Sequence, residues 1–346
     1  MPEKTWLAAH LYYAGDYRDF LTQAVKPFVE SVLAHGLADQ FFFVRYRERG
    51  PHIRLRFKGD SAVLAQQLRP RLSSYFLRFF ASHASRRRVP EAAAHLPEAE
   101  RWFPNDTVQY LAYEPEIDRY AGPVGLRLAE RQFEASSQAV LSVMDEADSW
   151  TYDQALGVAI QLHLGFAHAV GMTREVAIHF FGFLARLWAA LGTGYVLDHL
   201  AGNGSDAEGS QQDPDTIWRA FAENFDRQSA VLIPYHAALW DSLEQGRAFD
   251  QEWFNTWITQ TRRLAAQLRQ AQQDDELVFP VYWSVEVEHP APVAERALWN
   301  VLHSYVHMTN NRLGINNYDE AYVGYLIEAS LAALSSSHQP TMPSRS

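Results

Sequence analysis

The chain has 346 residues, 47% of them hydrophobic and 21% charged, so it is long enough to bury a sizeable core and reads as a soluble, globular protein of one large or two fused units. A net charge of −11 argues against a duplex nucleic-acid binder, and the absence of cysteine removes disulfides, thiolate metal sites and cysteine nucleophiles. No basic-then-apolar leader opens the chain and no stretch reaches the ~20 apolar residues of a membrane span, so a cytoplasmic location is the default expectation.

Thr5–Tyr13 reads as an aromatic-rich strand that ends before Gly15. Apolar residues from Phe20 to Leu33 recur at helical spacing, and Gly36 closes that helix. Gln40–Arg47 is a strand, Glu48-Arg49-Gly50-Pro51 a turn, and His52–Lys58 a strictly alternating strand. Ser61–Phe80 is helical and Val108–Tyr113 a short strand. The order β-α-β-β-α-β is the ferredoxin-like plan.

From Gly122 onward the pattern is helical, with segments at Val124–Met144, Thr151–Val170, Arg174–Leu197, Asp215–Glu244, Asp250–Gln272, Ala291–His307 and Tyr318–Leu334. Gly202–Asp213 reads as a surface loop and Ser335–Ser346 as a frayed tail. The fold class is therefore α+β: a ferredoxin-like portion over residues 1–121, a helical portion over 122–334 completing the same unit, and a tail over 335–346.

Three segments carry unusual charge. Alternation sets His52, Arg54 and Arg56 on one face of their strand, with Ile53, Leu55 and Phe57 facing a core. The two guanidiniums then stand ~7 Å apart, and if helices cover them they require anions such as carboxylates; the alternative is a solvated face. The loop Tyr113–Gly122 crowds Glu114, Glu116, Asp118 and Arg119 just after a strand, where either a site or a local Glu116–Arg119 salt bridge fits. His303 and His307 lie four apart, but no H-E-x-x-H glutamate or third ligand accompanies them, so proton transfer or helix packing suits them better than a metal. There is no G-x-G-x-x-G, Walker loop or G-x-S-x-G. The expectation is acid–base and anion-binding chemistry with no cofactor, metal or nucleotide.

Phe41-Phe42-Phe43-Val44-Arg45-Tyr46 with Gly50-Pro51-His52-Ile53-Arg54-Leu55-Arg56-Phe57, the run Tyr113–Gly122 with Ala129–Phe133 and Ser136-Ser137, and His307-Met308 with Asn311-Arg312-Leu313 together resemble three motifs of one family. This is the lantibiotic dehydratase C-terminal, or thiopeptide-type bacteriocin biosynthesis, domain. The family often has Gly where Ala121 stands and a second His where Thr309 stands. In full-length dehydratases of this kind a separate N-terminal domain glutamylates Ser or Thr of a precursor peptide from glutamyl-tRNA. The resembling domain then eliminates glutamate, leaving dehydroalanine or dehydrobutyrine.

The resemblance implies a catalytic set of Arg54, Arg56, Glu116, Arg119 and His307. Arg45, Tyr46, His52, Tyr120, Asn311 and Arg312, within the same motifs, are implied as substrate-binding. It also implies a precursor peptide (leader plus core) and a separate tRNA-dependent glutamylating subunit as partners. No direct nucleic-acid or membrane contact is implied, and the oligomeric state is left open, a homodimer included. A sister branch catalyses a formal [4+2] aza-cycloaddition of two dehydroalanines and acts as a pyridine synthase. A non-catalytic peptide-binding partner is the third alternative.

Overall fold

The computed structural model describes residues 4–90, 93, 95–193, 214–279 and 293–336. Strand β1 (Lys4–Tyr12) leads to Asp16, whose carboxylate accepts from Asp19 N–H and starts helix α1. That helix runs as Tyr17–Phe20, a π segment Leu21–Val25, and Lys26–Ala34. Strands β2 (Gln40–Tyr46) and β3 (His52–Asp60) form a hairpin, and Asp60 caps α2 through Val63 N–H. Helix α2 is again interrupted by a π segment: Ser61–Val63, Leu64–Leu68, Arg69–Ser82. Strand β4 is Thr107–Tyr110, shorter than the expected 108–113. The chain leaves the sheet at Leu111, and Tyr113 instead packs its ring against Trp6 and Phe42.

The sheet order is β2-β3-β1-β4, every pairing antiparallel, as the ferredoxin-like plan requires. One face carries Leu55 and Phe57, fully buried with Phe28 and Phe76 of α1 and α2 in the core. The other turns toward the helical half.

A short 3-10 turn (Asp118–Tyr120) precedes α3 (Gly122–Glu146). Ala121, where the family often has glycine, takes φ 59°, in the left-handed region, and Gly122 follows at φ 87°. The reversal is tight: a Cβ at Gly125 would overlap the Tyr120 carbonyl oxygen. Then come α4 (Tyr152–Ala169, opened by a Thr151/Gln154 capping box), α5 (Arg174–Thr193), α6 (Pro214–Glu244), α7 (Glu252–Gln273), α8 (Val293–Leu313) and α9 (Asn317–Ser336). Helix α8 runs six residues past the expected end at His307, to the turn at Gly314, so His303, His307 and Asn311 share one helix. Helix α9 likewise reaches Ser336, into the expected tail. Positions 194–197, the Gly202–Asp213 loop, 291–292 and 337–346 lie outside the described residues.

Helix α3 packs against β2, α7 and α8, while α5 pairs with α9. It also helps to cap the β2 edge. Phe41 N–H donates to Glu134 Oε1 (3.4 Å) and Phe43 N–H to Ser137 Oγ (3.1 Å). Arg45 N–H donates to Asn311 Oδ1 (2.9 Å), and Asn311 Nδ2 returns to the Arg45 carbonyl (2.9 Å). Buried apolar residues from Ala9 to Leu331 form one cluster, so sheet and helices share a core. No described helix is long and apolar enough to cross a membrane.

Candidate functional site

Strand register writes the inner face of the sheet in rows. Arg54 lies between His10 of β1 and Val44 of β2, Arg56 between Ala8 and Phe42, and Lys58 between Trp6 and Gln40. The Arg54 guanidinium sits 3.3 Å over the Tyr46 ring and pairs with Glu48 at 2.8 Å. Its Nε–H donates to His52 Nε2 (3.2 Å), and His52 Nδ1–H donates to the Gly50 carbonyl (2.7 Å). That pattern needs a neutral imidazole. Burial, aided by nearby arginines, pushes His52 down to about 4 and the stacked His10 to about 2. His52, expected among the substrate-binding residues, is 5% exposed and stands behind Arg54 as a prop.

Arg56 differs from its neighbour. It lies 4.4 Å from the Tyr113 ring and 5.2 Å from Phe42, with no carboxylate at ion-pair distance among the described residues and no partner for its Nε. Burial pulls its pKa down to about 10, which still leaves it charged at neutral pH. Below it, Lys58 (2.8 Å) and Trp6 Nε1 (3.0 Å) both engage the buried Glu130.

On the loop before α3, Arg119 pairs with the exposed Glu116 at 3.3 Å and donates to Ser304 Oγ of α8 at 3.4 Å. Tyr120, expected among the substrate-binding residues, is buried and stacked on Tyr305. On α8, His307 Nδ1 contacts both oxygens of Glu320 (2.9 and 3.1 Å), and its ring stacks on Trp188 at 4.5 Å. Glu320 is 3% exposed; burial raises its pKa, opposed by His307, Asn310 and Arg119. Asn310 donates to Glu320 (3.2 Å) and accepts from His163 Nε2–H (2.7 Å). The Glu320 contact fixes the His307 ring and leaves its Nε2 for proton transfer.

Within the implied catalytic set Arg54 and Arg56 share one strand face, Glu116 pairs with Arg119, and His307 rests on Glu320. Tyr46 lies on that face of the sheet, beneath Arg54. Arg45 does not: its guanidinium lies over Tyr17 on the opposite face, 3.6 Å from the ring centroid. Asn311 is engaged with the Arg45 backbone. Arg312 is fully buried, donating to Ser137 Oγ (2.9 Å) and the Met308 carbonyl (2.5 Å). His303, four residues before His307, turns toward Trp188. Among the described residues no group of three or more His, Asp or Glu is arranged to hold a metal ion.

Sequence reading missed Tyr113, Trp188 and the buried Glu320–Asn310–His163 relay. Glu320 had one legible signal. The Gly314 turn between two helical segments makes a helical hairpin, which brings the start of α9 beside the end of α8.

A four-stranded antiparallel sheet with a charged face turned toward a helical half defines an α+β protein. The chain belongs to the family described as lantibiotic biosynthesis dehydratase C-term, whose model matches residues 6–331. Among solved structures it is similar to the pyridine synthase TbtD from thiomuracin biosynthesis (18% identity, 96% of this chain and 99% of that one, TM-score 0.73). It is also similar to the tRNA dependent lantibiotic dehydratase MibB from Microbispora sp. 107891 (18% identity, TM-score 0.59), covering 96% of this chain but only 28% of MibB. TsrL is a third neighbour (17% identity, 98% and 99% covered, TM-score 0.58). At these identities the likeness is one of fold. No curated protein matches the sequence.

Proposed function

We propose that the protein eliminates glutamate from glutamylated Ser or Thr of a ribosomal precursor peptide, acting after a separate tRNA-dependent glutamylating subunit. One observation carries this reading: Arg56 is a desolvated guanidinium without a carboxylate partner among the described residues, two residues along the same strand face from Arg54. Such a group is complete only when an anion binds it. In the reaction a base removes the Cα proton, the electron pair forms the Cα=Cβ bond, and the Cβ–O bond breaks to release glutamate as a carboxylate. Arg56 meets the charge developing on the leaving group, and Arg54 exchanges the exposed Glu48 for a glutamyl carboxylate. His307, oriented by Glu320, moves the proton.

The second reading is the cycloaddition of a pyridine synthase. It is favoured by how much of the charge is already paired internally, Arg54 with Glu48 and Arg119 with Glu116, and TbtD carries that activity in its description. Mass spectrometry of a glutamylated precursor peptide separates the two. Elimination converts it to a product one water per site lighter than the unmodified peptide. If glutamyl-peptide stays untouched while a pre-dehydrated peptide closes into a macrocycle bearing a six-membered nitrogen ring, the elimination reading falls.

A further inference from the structure

Beside the charged band lies a second polar space, a groove of about 760 Å³ between α3 and α7 that reaches the start of β2. Lys58 lines it, on the same strand face as Arg56 and two residues further on, or ~7 Å away. The groove adjoins the candidate site across the Lys58–Glu130–Trp6 cluster.

Its walls hold an unusual set of unused groups. Gln132 of α3 is 1% exposed, yet neither its Oε1 nor its Nε2 has a hydrogen-bond partner. Gln40 Nε2 and Gln260 Oε1, in the same walls, are likewise buried and unpartnered. A buried unsatisfied amide carries the full desolvation penalty of its polar atoms, so its retention in a polar groove points to a ligand that completes it. An amide presents one acceptor and a pair of donors, the complement of a peptide group. Arg127, Arg131 and Arg263 line the groove as well, and none is within ion-pair distance of a carboxylate among the described residues. Against these and Lys4 and Lys58 stand three acidic groups, Asp39, Glu134 and Glu276; Asp39 is paired with Lys4, and burial raises the Glu134 carboxyl to about 7. In a chain of net charge −11 this is a local reversal of sign.

We propose that this groove is a second binding site, for an extended acidic segment of the peptide substrate, with Arg127, Arg131 and Arg263 taking its carboxylates and the three glutamine amides its backbone. The inference rests on the peptide reading above. An extended chain rises ~3.3 Å per residue, so the bound segment lies two or more residues from the one that reacts at Arg56. Paired guanidinium–carboxylate contacts would set which side of the reacting residue carries acidic side chains.

Binding decides the matter without any turnover. A fluorescein-labelled decapeptide of alternating glutamate and alanine, and its glutamine counterpart, are titrated with the full chain at low salt and followed by anisotropy. The glutamate probe is expected to bind at least tenfold more tightly than the glutamine probe. An Arg131→Ala/Arg263→Ala double variant should weaken the glutamate probe tenfold or more, and Gln132→Met should weaken both probes, each variant keeping the wild-type circular dichroism spectrum. Arg56→Ala should leave the affinity unchanged. Equal affinity for both probes, an unaffected double variant, or loss of the probe with Arg56→Ala alone would overturn the proposal. So would tighter binding of a labelled oligo-uridine, which would make the groove a phosphate-backbone site. Because no step needs elimination, a positive result stands even if glutamyl-peptide is not a substrate.

Discussion

The two faces of the sheet are made from alternate residues of the same strands, yet they follow opposite rules. On the α1/α2 side Leu55 and Phe57 are fully buried among apolar side chains. On the α3/α8 side Arg54, Arg56 and Lys58 are half-buried, charged, and supported by rings and carboxylates. One face lowers the free energy of folding; the other holds charge out of water at a cost that Glu48 and Glu130 offset for Arg54 and Lys58, and that no carboxylate among the described residues offsets for Arg56. The difference is that between a core and a site, separated by the thickness of one strand.

That contrast can be broken at several points. Phe57→Ala on the apolar face should cost about 3–5 kcal/mol of stability, seen as a lower denaturation midpoint; a loss below 1 kcal/mol would show that this face is not the core. Arg56→Ala should spare folding and lower turnover by roughly 30- to several-thousand-fold, about 2–5 kcal/mol of lost charge-assisted contact, read as accumulated glutamyl-peptide. Glu320→Gln should reduce turnover by about 10²-fold or more, with ¹⁵N NMR showing that the His307 proton has left Nδ1. An unchanged tautomer would reduce Glu320 to packing.

A smaller effect comes from pH. His10 is held down to about 2, and His52, His163 and His236 to about 4, in each case chiefly by burial. The unfolded chain takes up these protons near 6.5 and the folded chain does not, so the unfolded state binds more protons below that pH. Stability should therefore fall as pH drops from about 6.5 toward 4, by at most ~1.4 kcal/mol per group per pH unit. His52→Gln should make the slope of Tm against pH shallower; an identical slope removes His52 from the account. Smallest of all, Ala121→Gly should raise stability by up to about 1 kcal/mol in chemical denaturation, by relieving a left-handed alanine.

Strand alternation made the two faces legible before any coordinates, because a period of two admits only two sides for His52–Lys58. Helix periodicity did the same for α3 to α9, and the motifs marked Arg54, Arg56, Glu116, Arg119 and His307, of which Glu116 and Arg119 pair and His307 rests on Glu320. What escaped was set by contacts between distant segments. Trp188 reaches His307 from another helix, and Tyr113 was read into a strand although it leaves the sheet to cover Arg56. Arg45 and Arg312 lie within the motifs, yet the first faces Tyr17 and the second is enclosed. Motif membership identifies neighbours along the chain; only packing decides which of them share a surface.

The closed edge of β2 has a consequence of its own. Glu134, Ser137 and Asn311 occupy the outward N–H groups of Phe41, Phe43 and Arg45, the donors that an incoming strand would use. A visiting polypeptide cannot zip onto the sheet there main chain to main chain, whatever its sequence. For a protein proposed to handle extended peptides, that refusal separates client from scaffold: the guest is gripped through side chains and can be let go, rather than being annexed as a fifth strand.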